Sequence, residues 1–469
     1  MTARWTIGER ALDRSRPAVP QPATLQPGSR GIVDLLFFLG VVALLSLSDF
    51  ALEFFGLPYN SPGGSIIVKI HPATYLFSVA LGLAVIANPN PVGYLASLLL
   101  RCMGSTFLLL ACILLWIFIS RYKGDQPASF LIDAIIVAAI IYMLFADVGE
   151  RAHLAIARAV HVLMITNCCL AMIEGASGWR LFPFVMSDTE QVWEYRATAL
   201  LGHPLGGALA TGVYAIVLMT VKDVRGLSER WRLPIILLCM ATMPFIGSRV
   251  SFTVVYMTAA AVLGLRLLHF LRGGAVSLRA LVAVLVLLPL VALVIFALYQ
   301  MGVFDNFINR FINDKGSANS RLRLFELFDG IGLINMLLGY RMASLETQVR
   351  LTGLAEGIEN SWAGHAVRYG VVITGVLWFG IAAWFVDMLR SAGRGAILPL
   401  AYIFLILSTT VGISGKTTMM SVPAVIILAL SGRSRNAALL RLPADAGNDV
   451  LSRIGRGVPL PGSGGVRLS

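Results

Sequence analysis

The sequence predicts an all-α, polytopic membrane protein with about twelve transmembrane helices and one large external loop carrying an amphipathic helix. Three observations predict it. The 469 residues are 57% hydrophobic and only 13% charged, with a mean hydropathy of +0.80, whereas soluble domains are about half apolar and about a quarter charged. The apolar residues come in continuous runs of roughly 20, the length that crosses a hydrocarbon core, without the alternation of barrel strands. Backbone N–H and C=O groups find no water in lipid, so such runs satisfy themselves as helices.

The runs place spans at residues 32–55, 70–88, 103–120, 129–147, 153–174, 198–220, 233–247, 250–270, 279–300, 366–388, 397–413 and 417–432. The chain then divides into a basic tail (1–31), nine spans (32–300), the large loop (301–365), three spans (366–432) and a second tail (433–469). The first tail carries Arg4, Arg10, Arg14, Arg16 and Arg30 with several prolines and no apolar run; the second is rich in Gly, Pro and Arg. The first apolar stretch is too long for a signal-peptide core, and Gly56-Leu57-Pro58-Tyr59-Asn60 is no small-residue cleavage site, so it is read as a retained span.

Positive charge sets the orientation. With the N-terminus inside, the cytoplasmic segments collect 23 of the 37 basic residues. Several of the remaining 14 lie in the long loop, where the positive-inside rule has less force. Both termini are therefore expected in the cytoplasm, in a multi-pass inner-membrane protein. The net charge of +12 fits basic tails against an anionic leaflet, and a nucleic-acid partner would need a soluble basic domain that the sequence lacks. Cys102, Cys112, Cys168, Cys169 and Cys239 all fall in apolar spans, where they act as small hydrophobes. The six histidines show no metal-ligand spacing, and neither metal nor cofactor is expected.

Function is expected on the external side. Residues 56–69 and 121–128, Gly247-Ser248-Arg249 and Ile413-Ser414-Gly415-Lys416 are short connections, but 175–197 and above all 301–365 are long, and long connections in a compact protein carry function. In the second, Ser320 to Asp329 reads as the start of an amphipathic helix. Leu324, Phe325, Phe328 and Ile331 fall at helical spacing, so that face could lie in the membrane interface or pack on the bundle.

Five elements resemble, in order, the O-antigen ligase and polymerase superfamily. Arg196-Ala197-Thr198-Ala199-Leu200-Leu201-Gly202-His203-Pro204-Leu205-Gly206 is similar to that superfamily's Arg, Gly, Asn/His-Pro stretch at a helix head. Met243-Pro244-Phe245-Ile246-Gly247-Ser248-Arg249 resembles its Ser-Arg turn between consecutive spans. Arg321, then Leu337-Leu338-Gly339-Tyr340, then Glu359-Asn360-Ser361-Trp362 with Tyr369-Gly370-Val371-Val372, resembles its large periplasmic loop and the helix that leaves it. The likeness covers residues 190–390. Ligases of the superfamily usually carry histidine just before that Asn, where this chain has Glu359, which favours the polymerase side. Together with Lys69-Ile70-His71-Pro72, the chain looks closest to exopolysaccharide polymerases of the Vibrio-polysaccharide type. Their Arg-x10-Gly pattern occurs from Arg196 to Gly207 and from Arg321 to Gly332. With this composition about three such pairs arise by chance, so only their places, in the two long loops, carry weight.

The resemblance implies transfer of a glycan from a polyprenyl diphosphate (undecaprenyl diphosphate) to a hydroxyl of another lipid-linked repeat unit. Arg196, Arg249 and Arg321 would bind the leaving diphosphate, since a guanidinium stays charged and grips phosphate oxygens bidentately without a metal. The plainer reading of Arg249 is a snorkelling residue at a turn, and of Arg196 a partner for Glu190 or Glu194. Arg323, Arg341 and Arg350 read as solvated charges. Glu359 is the first choice as general base and His203 the second, though His203 could instead cap its helix or touch phosphate. Asp49, Glu53 and Asp133 could contact sugar hydroxyls, or pair with Lys69, Arg121 or Lys123. In the fifth span Arg158 can snorkel and His161 reads as a buried packing histidine. Chain-length regulator and export proteins are possible partners. Three alternatives stay open: a ligase-type glycosyltransferase, a lipid-linked glycan flippase or transporter, and a non-catalytic scaffold of an export machine. A flippase would show two similar halves and a mid-membrane chain of ionisable residues, and the sequence has neither.

Overall fold

The computed structural model describes residues 27–60, 65–123, 130–183, 196–273, 323–329, 331–354 and 360–431, with residues 185–186, 189–190, 299–300, 302, 305, 308 and 358 between them. They are overwhelmingly helical. The helices are α1 (Pro27–Ser46), α2 (Asp49–Phe54), α3 (Pro72–Ile86), α4 (Pro91–Arg101), α5 (Met103–Phe118), α6 (Val137–Asp147), α7 (Glu150–Ser177), α8 (Pro204–Thr220), α9 (Glu229–Ile246), α10 (Arg249–Leu271), α11 (Leu333–Leu338), α12 (Met342–Leu351), α13 (Ser361–Ala392), α14 (Ile397–Leu407) and α15 (Ser421–Leu430). A two-residue antiparallel pair, β1 (Val185–Met186) and β2 (Thr189–Glu190), follows α7.

Among the described residues five helices are long and apolar enough to cross a membrane: Ser29–Ser46, Met103–Lys123, Glu150–Ser177, Arg249–Leu271 and Ser361–Ala392. Pro72–Ile86, Pro204–Thr220, Arg394–Leu407 and Ser421–Leu430 are shorter apolar helices. Helices α8 and α15 are buried almost all round and form the axis of the bundle, as expected of helices with no polar face. By contrast α10 leaves Leu263, Leu265, Leu267 and Leu271 about half exposed or more, an apolar exterior that suits lipid rather than water.

The helix ends gather into two polar faces. On one, Arg101 clasps Asp147 through two bonds of 2.7 and 2.8 Å, Arg30 donates to the Asp147 carbonyl at 3.1 Å, Arg225 pairs with Glu150, and Val224 bridges to Ser431. The other, which we term the loop face, holds α2, the head of α3, the tails of α5 and α7, the head of α8, the α9–α10 turn, residues 323–354 and the head of α13.

The structure redraws several expected boundaries. The span read over 32–55 breaks at Leu47–Ser48, where the Ser48 hydroxyl accepts the Ala51 N–H at 3.1 Å and starts α2. Residues 198–203 of the sixth expected span are not helical, and α14 stops at Leu407 because Thr409 and Thr410 turn their hydroxyls back onto the Ile406 carbonyl. Helix α4, capped by Asn90 with Pro91 at its first turn, lies in a stretch read as a connection. The expected span 279–300 lies, except for Tyr299 and Gln300, outside the described residues, as do residues 1–26 of the first tail and the whole of the second; the last residues of the first tail, from Pro27, are instead the opening of α1.

The amphipathic helix expected from Ser320 is corrected where it is described. Leu324–Phe328 is a short 3-10 helix, whose three-residue turn buries Leu324 and Leu327 and leaves Phe325 65% exposed, so the 324, 325, 328, 331 stripe does not form. Leu324 and Leu327 instead join Tyr340, Leu345, Leu354, Ile358 and Val367 in a small core of their own.

That core sits on a break in α13. Gly370 has φ 76° and ψ 161° inside an otherwise helical run, and Gly339 has φ 76° and ψ 163°. The two glycine backbones are interlocked: a Cβ on Gly339 would fall 2.3 Å from the Arg368 carbonyl oxygen, and one on Gly370 would fall 2.1 Å from that of Leu337. The Tyr340 N–H donates to the Val367 carbonyl at 2.9 Å, and the Lys123 ammonium donates to the carbonyls of Gly339 and Tyr340 at 2.8 and 2.9 Å.

Candidate functional site

The site is built from the tail of α7 upward. Glu174 is buried in its last turn, where the helix dipole disfavours an acid. Four donors compensate. Its Oε1 accepts the Leu181 N–H at 2.9 Å, and its Oε2 accepts the N–H groups of Thr198 and Ala199, each at 2.8 Å, and the Thr198 hydroxyl at 3.3 Å. Glu174 thus fixes both ends of the 175–197 connection. The Ala197 N–H then donates to the Phe245 carbonyl at 2.9 Å, pinning this segment to the end of α9.

Two turns aim the functional side chains. After Phe245 the chain passes through Gly247 at φ 73° and Ser248, whose hydroxyl caps α10, so Arg249 is the first residue of that helix. Gly202, at φ 73°, turns the other segment into α8, and a Cβ there would fall 2.5 Å from the Ser48 side chain and 3.0 Å from Asp49 Oδ1. His203 is the N-cap of α8: its Nδ1 accepts the Leu205 N–H at 3.1 Å, and Phe50 lies nearly parallel to its ring. Arg196, Ala197, Glu174 and Arg180 line a cavity of about 280 Å³.

The cap fixes the histidine's chemistry. With Nδ1 used as acceptor, the neutral ring carries its proton on Nε2, so His203 presents a hydrogen-bond donor rather than a base. Burial, helped by the nearby Arg196 charge, pushes its pKa down to about 4. The structure therefore sets Arg196 near His203 and its neighbour Ala197 beside Phe245, four residues ahead of Arg249. Arg321 and Glu359 lie outside the described residues. Their neighbours are at the loop face: Asn360 caps α13 by accepting the Ala363 N–H at 3.0 Å, and the Ser361 hydroxyl donates to the Thr410 carbonyl at 2.7 Å. Arg323, Arg341 and Arg350 are exposed.

A second polar cluster adjoins α2. Asp133 is buried and accepts the Tyr59 hydroxyl at 2.7 Å, the Thr74 hydroxyl at 2.6 Å and the His71 N–H at 3.2 Å. This replaces the expected pairing with a loop lysine, since Lys123 is committed to the Gly339 and Tyr340 carbonyls. Lys416 stands 3.3 Å from the Tyr59 ring centre and donates to its carbonyl at 2.6 Å. Burial outweighs the nearby Asp133 carboxylate and lowers the Lys416 amine to about 8. On α7, His161 is buried as expected, 2.7 Å from the Tyr214 hydroxyl and 2.9 Å from the Arg225 carbonyl, and Arg158 is exposed. Four of the five cysteines are buried, and no cluster of three or more potential metal ligands occurs among the described residues.

Glu174 is the residue that sequence reading misses. Its one signal is an acid in the final turn of a long apolar helix, a place that calls for local N–H donors. No family model, curated protein or solved structure matches this chain.

Proposed function

We propose that the protein is a metal-independent glycosyltransferase, a polysaccharide polymerase that transfers a polyprenyl-diphosphate-linked glycan to another lipid-linked repeat unit during exopolysaccharide synthesis. One observation carries the reading: the hydrogen bond from Ala197 to Phe245, which draws Arg196 and the His203 cap against the turn that begins α10 at Arg249. In this reading the two guanidiniums and the imidazole N–H donor serve the two phosphates of a leaving diphosphate. Arg321 is the third diphosphate ligand, and Glu359 the base, that the resemblance implies. The same residues would serve a ligase, and Glu359 in place of histidine favours the polymerase.

In this reading the loop face is periplasmic, both termini are cytoplasmic, and the chain crosses the inner membrane about twelve times. The chain leaves α10 at the opposite face and is at the loop face by Gly339 and Tyr340, which supports a crossing between them at 279–300. Reporter fusions at residues 330 and 440 should give outside and inside signals respectively. An inside signal at 330 would put the arginines on the wrong leaflet for flipped donor and end the proposal.

The functional test is the fate of the donor. Cells lacking the protein should accumulate single repeat units on the lipid carrier that are reachable from the periplasm, because polymerisation follows flipping. Accumulation confined to the cytoplasmic leaflet would identify a transporter instead.

A further inference from the structure

Glycosyl transfer needs a group to take the proton of the attacking hydroxyl. His203 is unsuited, because its Nδ1 is spent on the α8 cap and its Nε2 is the N–H donor. The carboxylates of the loop face differ sharply in what they already do. Glu174 accepts four hydrogen bonds, and Asp133 is closed in by two hydroxyls and a backbone N–H. Asp49 stands apart. Among the described residues its Oδ1 accepts the adjacent Phe50 N–H at 3.0 Å, its Oδ2 a long bond of 3.3 Å from the Asn60 side chain, and its own backbone N–H also approaches the carboxylate, fewer and weaker partners than a carboxylate with room for about four can hold.

Its position is built. The break at Ser48 turns α2 off the end of α1, and the capping hydroxyl holds Asp49 in the first turn of the short helix. Gly202 exists as glycine where any side chain would collide with Ser48 and crowd Asp49 Oδ1, and Phe50 packs beside the His203 ring. The carboxylate is thus seated against the turn that delivers His203, on the face shared with Arg196.

We propose that Asp49 is the general base of the transfer, in place of Glu359; this rests on the glycosyltransferase reading above. The acceptor hydroxyl gives its proton to Asp49 as its oxygen bonds to the anomeric carbon of the donor. The bond from that carbon to the diphosphate oxygen breaks, its electron pair leaves on the polyprenyl diphosphate, and Asp49 then releases the proton to water. Separately, burial and the neighbouring Glu53 charge raise the Asp49 pKa above the ordinary carboxylate range, which makes it a better proton acceptor.

The experiment uses full-length protein in detergent and lipid-linked repeat units extracted from cells lacking it, with chain elongation followed against pH. Asp49→Asn should lower kcat by about a hundredfold or more with little change in KM for the donor. Asp49→Glu should recover part of the rate, with a displaced acid limb. Asn60→Asp leaves Asp49 intact but puts a second negative charge beside it, so the acid limb should move to higher pH even if the Asp49 variants fail to accumulate. If Asp49→Asn keeps the wild-type rate, or Asn60→Asp leaves the acid limb in place, the assignment is wrong. If Glu359→Gln removes activity while Asp49→Asn does not, the base is Glu359 and the diphosphate site stands. If wild-type protein elongates nothing, the glycosyltransferase reading falls first and the base assignment with it.

Discussion

Arg196→Lys should slow chain elongation by about two powers of ten or more, nearly as far as Arg196→Ala. Lysine keeps the charge but loses the planar fork that meets two phosphate oxygens at once, and the segment holding Arg196 is too tightly fixed to shift a shorter point charge into place. Three anchors fix it: the bonds from Thr198 and Ala199 to Glu174, and from Ala197 to Phe245. Arg321→Lys should fail comparably if the resemblance carries over to that residue. Arg350, exposed on α12, serves as the control, and Arg350→Ala should stay close to wild type. All variants must reach the membrane at normal levels before rates are compared. Normal polymer from Arg196→Lys would reduce that residue to a surface cation and leave the diphosphate clamp to Arg249 and Arg321.

The largest effect on stability is expected at the helix break. Gly339 and Gly370 both have φ 76° with ψ above 160°, a region that only glycine occupies readily, and each is met by a backbone carbonyl that cannot swing aside. Gly370→Ala should therefore destabilise by about 3 kcal/mol or more, combining the strain of that conformation with displacement of α11. Thermal unfolding in detergent measures the loss, and protease cutting within 323–354 should rise with it. Gly375→Ala, one turn further along α13 with open space around it, is the matched comparison and should be neutral or stabilising by up to about 1 kcal/mol. Equal melting temperatures for the two variants would show that the interlock contributes little.

That the apolar runs form helices was legible because run length and lack of charge are properties of consecutive residues, and five of these helices are long enough to cross a membrane. Breaks were not. Leu47-Ser48-Asp49-Phe50 reads as the end of one apolar run, yet a single hydroxyl bonding three residues ahead divides it in two. The non-helical Gly370 depends on Gly339, a partner contributed by a different segment, and neither glycine alone signals a break. In the site, Arg196, His203 and Arg249 stand out as motif residues, whereas the duty of Glu174 depends on contacts with Thr198 and Ala199 across the whole 175–197 connection. The stripe at 324, 325, 328 and 331 misleads because the segment winds with three residues per turn, not 3.6, and so buries residues 324 and 327.

The Lys123 clasp also orders events during synthesis. Lys123 is 216 residues ahead of Gly339, so at translation speeds of about 5–20 residues per second its acceptors are made roughly ten to forty seconds after it. Through that interval the nascent chain holds an ammonium at the end of α5 without the carbonyls that finally receive it. Helices α6 to α10 are all made before the segment that brings them. Closure of the clasp is thus a late event in folding: it completes only when α11 and the head of α13 have both been made, because Tyr340 is itself held by Val367.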